Sequence, residues 1–184
     1  MFSVPLAEGA QLRPLEPWQA AEFLANVEHS RPHIAPWVPL AGRVVDLDSA
    51  RKLLQQYADS QAADTGRLYG IWLDGTLVGC ALFRVFDTRE GVCEVGVWIA
   101  PEAQGRGLVT RAVRHMVDWA IRVRGMSRVE WCNVPTNVRS RAVVQRLGFT
   151  LDGVLRSVFE LGGVRQDLEV WSMLAGEWPP DQPS

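Results

Sequence analysis

The chain has 184 residues and a formal charge of −2, with 22% charged residues interspersed in sign and 47% hydrophobic ones. That length supports one domain with a sizeable core, and a mildly acidic balance argues against nucleic acid as the default partner. No apolar run approaches the roughly 20 residues of a membrane span, and Met1–Glu8 has neither the basic stretch nor the apolar core of a secretory leader. Cys80, Cys93 and Cys132 are an odd, widely spaced set inside predicted strands. They read as small buried hydrophobes of a reducing compartment, with structural zinc disfavoured and cytoplasmic residence expected.

In chain order, Gln11–Pro14 is a short first strand, and Glu16–Val27 a helix with Ala20, Phe23, Leu24 and Val27 on one side. Arg31–Pro39 contains three prolines, which predict an irregular segment. Asp48 is the expected cap of a second helix reaching Gln61. Leu68–Leu73 and Leu77–Phe86 are strands joined by the hairpin signal Asp74-Gly75-Thr76. Cys93–Ile99 is a buried strand. Val109, Ala112, Val113, Met116, Val117, Ala120 and Ile121 then recur at three- and four-residue steps, the pattern of an amphipathic helix. Arg128–Asn133 is a strand, and Asn137–Leu147 a short helix stopped by Gly148. Thr150–Leu161 and Gln166–Leu174 are strands around Gly162-Gly163. Residues 1–178 thus form one domain without a linker, and the proline-bearing 179–184 are expected to be a disordered tail. The order implies a mixed α/β fold: a central, mostly antiparallel sheet of about seven strands with helices on both faces.

Between the buried strand and the long helix lies Gln104-Gly105-Arg106-Gly107-Leu108-Val109-Thr110. A glycine loop opening a helix leaves the first-turn amides unpaired, and with the positive end of the helix dipole they form a site for phosphate oxygens. Gly105 and Gly107 let the backbone approach a bulky anion. A P-loop would need Lys-Ser/Thr after the last glycine, where Leu108-Val109 stand. A dinucleotide fingerprint would need glycine at Thr110 and usually follows the first strand of its domain. The residues alone therefore leave a pyrophosphate cradle of another class, or an ordinary tight connection.

Gln104-Gly105-Arg106-Gly107 after a strand resembles the acyl-CoA loop of the GNAT superfamily of acyl-CoA-dependent N-acyltransferases. Three further landmarks resemble its RimJ/RimL branch, which acetylates ribosomal-protein N-termini. They are Glu94-Val95-Gly96-Val97-Trp98-Ile99; Asn137-x-x-Ser140 with Arg146-Leu147-Gly148-Phe149; and His33-x-x-Pro36-Trp37 with Gly163-x-x-x-Asp167 and Ser172-Met173-Leu174. The set spans about Gln11 to Leu174.

The resemblance implies acetyl-CoA as co-substrate, no metal, and acetyl transfer to a primary amine, foremost a protein N-terminal α-amine, directly in a ternary complex. It implies a gap between the strands Cys93–Ile99 and Arg128–Asn133 in which pantetheine lies against the backbone of Val97, Trp98 and Ile99. The loop Gln104 to Thr110 would hold the phosphates, and Asn137 the pantetheine or its loop, although Asn137 also suits a helix N-cap. Arg106, Arg111 and Arg139 would add charge there or remain solvated surface residues. Glu94 is the expected base, on a strand face shared with Gly96 and Trp98 that should look into the cleft. Its alternatives are a strand-end position and an arginine pair. The tyrosine usual near the thiol is replaced by Val144, and Ser140 is implied to hydrogen-bond the sulfur instead, against the alternatives of a helix-surface serine and a local backbone cap. An aliphatic hydroxyl is a far weaker acid than a thiol of pKa about 8.5, so it can only donate a hydrogen bond to the thiolate. His33 and Trp37 are the implied acceptor wall, against the alternatives of a loop histidine and a core tryptophan. A homodimer is also implied.

An α-amine titrates near 7.7–8.0 and lysine near 10.4, so neutralising lysine costs roughly 3.4 kcal/mol more. A site with one modest base therefore suits an α-amine. Two competing functions remain at this point: a small-molecule amine acetyltransferase conferring antibiotic or toxin resistance, and a catalytically silent acyl-CoA-binding module.

Overall fold

The structure, a computed structural model, describes residues 3–179. Eight strands form one sheet in the order β1-β2-β3-β4-β5-β6-β8-β7. They are β1 (Val4–Ala7), β2 (Ala10–Pro14), β3 (Arg67–Leu73), β4 (Thr76–Asp87), β5 (Val92–Ile99), β6 (Arg128–Asn133), β7 (Thr150–Leu161) and β8 (Val164–Leu174). Four α-helices accompany them: α1 (Ala20–Ile34), α2 (Leu47–Ala62), α3 (Leu108–Asp118) and α4 (Val138–Leu147). Every neighbouring pair is antiparallel except β5–β6, the pair connected through α3. The sheet class is as expected, with β1 as one strand more.

Two apolar layers cover the sheet. On one face Cys93 and Val95 of β5 pack with Ala112, Val113, Met116 and Val117 of α3 and with Val144 and Leu147 of α4. On the other face Trp98, Leu68 and Cys80 pack with Phe23 and Val27 of α1 and Leu53 and Leu54 of α2. Alternation along β5 therefore sends Val95, Val97 and Ile99 toward α3, and Glu94, Gly96 and Trp98 toward α1.

Three local expectations are corrected. Proline does not keep Arg31–Ile34 irregular: α1 runs through Pro32, which lies exposed in its last turns. There the missing N–H forfeits one intrahelical bond. Turns beyond it hold the chain, with Ala35 donating to the Arg31 carbonyl (2.9 Å) and Val38 to that of Ile34 (2.8 Å). The Arg31 guanidinium also donates to the carbonyls of Ala41 and Val44. Helix α2 is capped by Asp46 rather than Asp48. The Asp46 carboxylate accepts from Ser49 N at 2.7 Å, and the Ser49 hydroxyl accepts from Asp46 N. The first helix also begins later than Glu16, after a single 3-10 turn at Pro17–Gln19. Of the expected tail, residues 180–184 lie outside the described residues.

The consequential feature is a fork. β5 and β6 pair only through Val92–Arg128, Cys93–Val129 and Glu94–Glu130. Beyond these pairs β5 stays with β4 as far as Ile99, and β6 with β8 as far as Asn133. Polar backbone edges on β5 are thereby left facing a gap.

Candidate active site

The fork opens into a cavity of about 980 Å³ lined by β5, the loop after it, the start of α3, α4 and the end of α1. Where the cavity meets the start of α3, Gly107 is the N-cap with φ +72°, and Gly105 has φ +74°. Both are left-handed conformations that side chains disfavour. Gly107 has no side chain to cap the helix, so the first-turn amides of Leu108, Val109 and Thr110 have no intrahelical acceptor. Leu108 is buried and anchors the turn, while Val109 and Thr110 line the cavity. Open space surrounds the position of a Cβ on Gly105. This arrangement fits a diphosphate: donors, a helix dipole and room.

Charge is drawn in from two helices. Arg111 donates to the Arg106 carbonyl at 2.8 Å, bracing the loop, and the Arg106 side chain itself is exposed. From α4, Arg139 donates to Gln104 Oε1 at 3.0 Å and Arg146 to Thr110 Oγ1 at 3.2 Å. With its oxygen so used, the Gln104 amide nitrogen donates to His33 Nε2, which is then the unprotonated ring nitrogen. His33 thus sits in the last turn of α1, not in a loop, and it and Trp37 both line the cavity. One turn earlier His29 meets Glu102 at 2.9 Å, a second tie between α1 and the loop.

Along the groove, the backbone of Val97, Trp98 and Ile99 faces the fork, while the Trp98 indole turns into the opposite core. It is buried, donates to Asn26 Oδ1 at 3.4 Å and meets Phe23 at 6.2 Å between ring centroids. Asn137 caps α4 by accepting from Ser140 N at 3.1 Å. Ser140 lines the cavity, and its hydroxyl oxygen accepts from Trp131 Nε1 at 2.9 Å. Val144 is fully buried and offers the site no polar group.

Helix α4 is fixed from beneath by Glu169 of β8. This buried carboxylate accepts from Arg141, from Asn133 at 2.9 Å and from Trp171 at 3.1 Å. Burial pushes its pKa up, and the hydrogen bonds from Arg141, Asn133 and Trp171 more than offset this, leaving it below the usual carboxylate value.

Glu94 stands at the last paired register of the fork, on the α1 side. Both its oxygens are held by the Arg84 guanidinium, one at 2.6 Å from Nε. A bulge in β4 between Phe83 and Val85 brings Arg84 there. The expected opening of the Glu94–Gly96–Trp98 face into the cleft is therefore corrected: Glu94 does not line the cavity and Trp98 points into the core. Inward-facing polarity on a strand reads the same whether a cleft or a neighbouring arginine receives it.

Sequence reasoning missed Trp131 and the reach of Arg146. A tryptophan alternating within a strand reads as core, and only the fold brings its N–H to Ser140. Cys80 and Cys93 are buried and Cys132 is half-buried; none lines the cavity. Burial foremost pushes the Cys93 and Cys132 thiols up to about 12, with Glu130 adding at both and Glu94 at Cys132. Among the described residues no cluster of metal-ligating side chains occurs, and no helix is long and apolar enough to cross a membrane.

Residues 10–150 match the acetyltransferase (GNAT) domain family. The chain is 31% identical over 183 residues to the Bacillus subtilis (strain 168) protein YdaF, by name a ribosomal N-acetyltransferase, covering 97% of this chain and 98% of that one. A crystal structure named as that of an acetyltransferase superposes with a TM-score of 0.90 at 29% identity, over 97% of this chain and 99% of the other. RimL, the ribosomal L7/L12 α-N-protein acetyltransferase in complex with coenzyme A, superposes with a TM-score of 0.89 at 19% identity, over 95% and 99%; that likeness is one of fold. With a family match over most of its length and a relative 31% identical over nearly all of it, the chain belongs to the GNAT family and is an acetyltransferase enzyme.

Proposed function

We propose that the protein, acting as one catalytic domain over residues 1–178, transfers an acetyl group from acetyl-CoA to the N-terminal α-amine of a ribosomal protein. The observation that carries this reading is the row of unpaired α3 amides opening onto the fork, with Ser140 on the facing wall. Amides of Leu108, Val109 and Thr110, with Gln104, Gly105, Arg106 and Gly107 shaping the turn, would hold the diphosphate. The β5 backbone from Val97 to Ile99 suits the amides of pantetheine, which enter as a partial extra strand. Asn137 fixes the start of α4, where the thioester would lie.

Transfer is direct. The neutral amine attacks the thioester carbonyl carbon, the new C–N bond forms, and the C–S bond breaks with its electron pair going to sulfur. Ser140 donates a hydrogen bond to that thiolate. The amine proton leaves through water to Glu94, which Arg84 must release. A covalent acyl-cysteine route has little support, because thiols raised to about 12 supply almost no thiolate at neutral pH. His33 and Trp37 form the acceptor wall. The relative YdaF, by its name, supports a ribosomal acceptor, and the lower cost of deprotonating an α-amine agrees. The cytoplasm, where ribosomal proteins are made, is the place of action. A homodimer completes the reading, and exposed apolar side chains of edge strand β7, Leu155 and Val158 among them, offer it surface.

The test is to supply acetyl-CoA with peptides bearing ribosomal-protein N-termini and with a panel of small amines, following thiol release and peptide mass. Turnover on α-amine peptides is expected. Turnover confined to polyamines or other small amines would redirect the reading, and binding of acetyl-CoA without turnover on any amine would defeat it.

A further inference from the structure

We infer that Trp131 is a positioning residue that sets the donor direction of the Ser140 hydroxyl. This inference rests on the proposed role of Ser140. A hydroxyl has one hydrogen and two acceptor lone pairs, and free rotation lets it accept as readily as donate. Indole nitrogen only donates. At 2.9 Å from Trp131 Nε1, the Ser140 oxygen is therefore the acceptor, and its hydrogen is left for another partner. The Ser140 backbone N–H is bound to the Asn137 side chain at the start of α4. Among the described residues no carbonyl takes the hydroxyl hydrogen by a local bond of the kind serines often form in helices.

Both Trp131 and Ser140 line the cavity, and Trp131 is buried against the α3 layer, which fixes its ring. A buried indole N–H needs an acceptor, so the bond also serves the tryptophan. The consequence for serine is that one lone pair is occupied and the hydroxyl points its proton away from Trp131. A rotor set before the reaction spares reorientation as charge develops on sulfur. Polarisation by the indole donor also makes that O–H a better donor in turn.

The experiment is a double-mutant cycle on the full chain, using Trp131→Phe, Ser140→Ala and the pair, read by single-turnover acetyl transfer at saturating acetyl-CoA alongside KM for acetyl-CoA. Trp131→Phe keeps an aromatic ring and removes the N–H. The expected result is a threefold to tenfold slower transfer, about the loss that one neutral hydrogen bond carries. KM should stay within about twofold, and the Ser140→Ala background should show no further slowing. If Trp131→Phe does not fold, benzothienylalanine at position 131, a ring of tryptophan shape without the N–H, replaces it in the cycle. Equal slowing by Trp131→Phe in both backgrounds, or a loss of stability with transfer unchanged, overturns the positioning role alone. Unchanged transfer in Ser140→Ala overturns the role of the hydroxyl and this inference together.

Discussion

Replacing Glu169 by alanine removes one carboxylate and leaves three donors without their acceptor: the Arg141 guanidinium, the Asn133 amide and the Trp171 indole. Asn133 and Trp171 are each 6% exposed, so water does not readily take the vacated place. A buried donor left unpaired costs about 1–3 kcal/mol. Asn133 keeps its second bond, to the Val134 carbonyl at 3.0 Å, which puts its share at the lower end. The Arg141 side chain is 34% exposed, so solvent recovers most of its loss and its share is set at about 1 kcal/mol or less. The sum is about 2–5 kcal/mol, a large part of the 5–15 kcal/mol typical of a whole domain. At this chain length that corresponds to a fall in Tm of roughly 4–20 °C. Urea unfolding followed by far-ultraviolet circular dichroism, with the m-value required to stay constant, measures it. Because Glu169 anchors the helix bearing Asn137 and Ser140, KM for acetyl-CoA should rise in the variant while it is still folded. A stability loss below about 1 kcal/mol would refute the reasoning, since it would mean that the three donors were not truly desolvated.

Three further outcomes are expected. Gly107→Ala combines a left-handed backbone, costing about 1–2 kcal/mol for alanine, with a Cβ 3.2 Å from the Arg111 guanidinium. Steady-state kinetics should register it chiefly as a higher KM for acetyl-CoA. Trp98→Phe should lower stability by about 1–2 kcal/mol through the orphaned Asn26 carbonyl oxygen, and leave KM for acetyl-CoA unchanged, because the groove uses the Trp98 backbone; a raised KM would contradict this. Asp64 is held at about 2 by the Arg124 hydrogen bond foremost and by Arg67. A carboxylate with a depressed folded pKa adds stability that is complete above its unfolded value near 3.8 and is lost as pH falls toward 2. Melting temperature against pH should therefore fall less steeply across that window in Asp64→Asn than in the parent.

What was legible in the chain was whatever repeats or punctuates. The three- and four-residue recurrence along α3, the turn at Asp74-Gly75 and the glycine pair before α3 each carry a local physical signal that the fold does not override. β1 was not legible: Val4–Ala7 is four residues beside another short strand, too brief for alternation to stand out. Pro32 misled because its cost is one intrahelical bond, small enough for packing of Ile34 and the Arg31 carbonyl contacts to outweigh. The Arg84–Glu94 pair depends on a strand bulge, and the Trp131–Ser140 bond on α4 packing over the face of β6 that carries Trp131; neither leaves a trace in spacing. Local geometry was thus legible where the backbone sets it, and side-chain partners were not.

The fork has a mechanical meaning. Only three residue pairs rivet the slab β1–β5 to the slab β6–β8–β7 within the sheet, all at one end. A ligand threaded between the slabs would act as a strut, tying the free ends that hydrogen bonding leaves apart. Amide hydrogen exchange along Val95–Ile99 should then slow on donor binding far more than exchange at Val92–Glu94, where the rivets already hold.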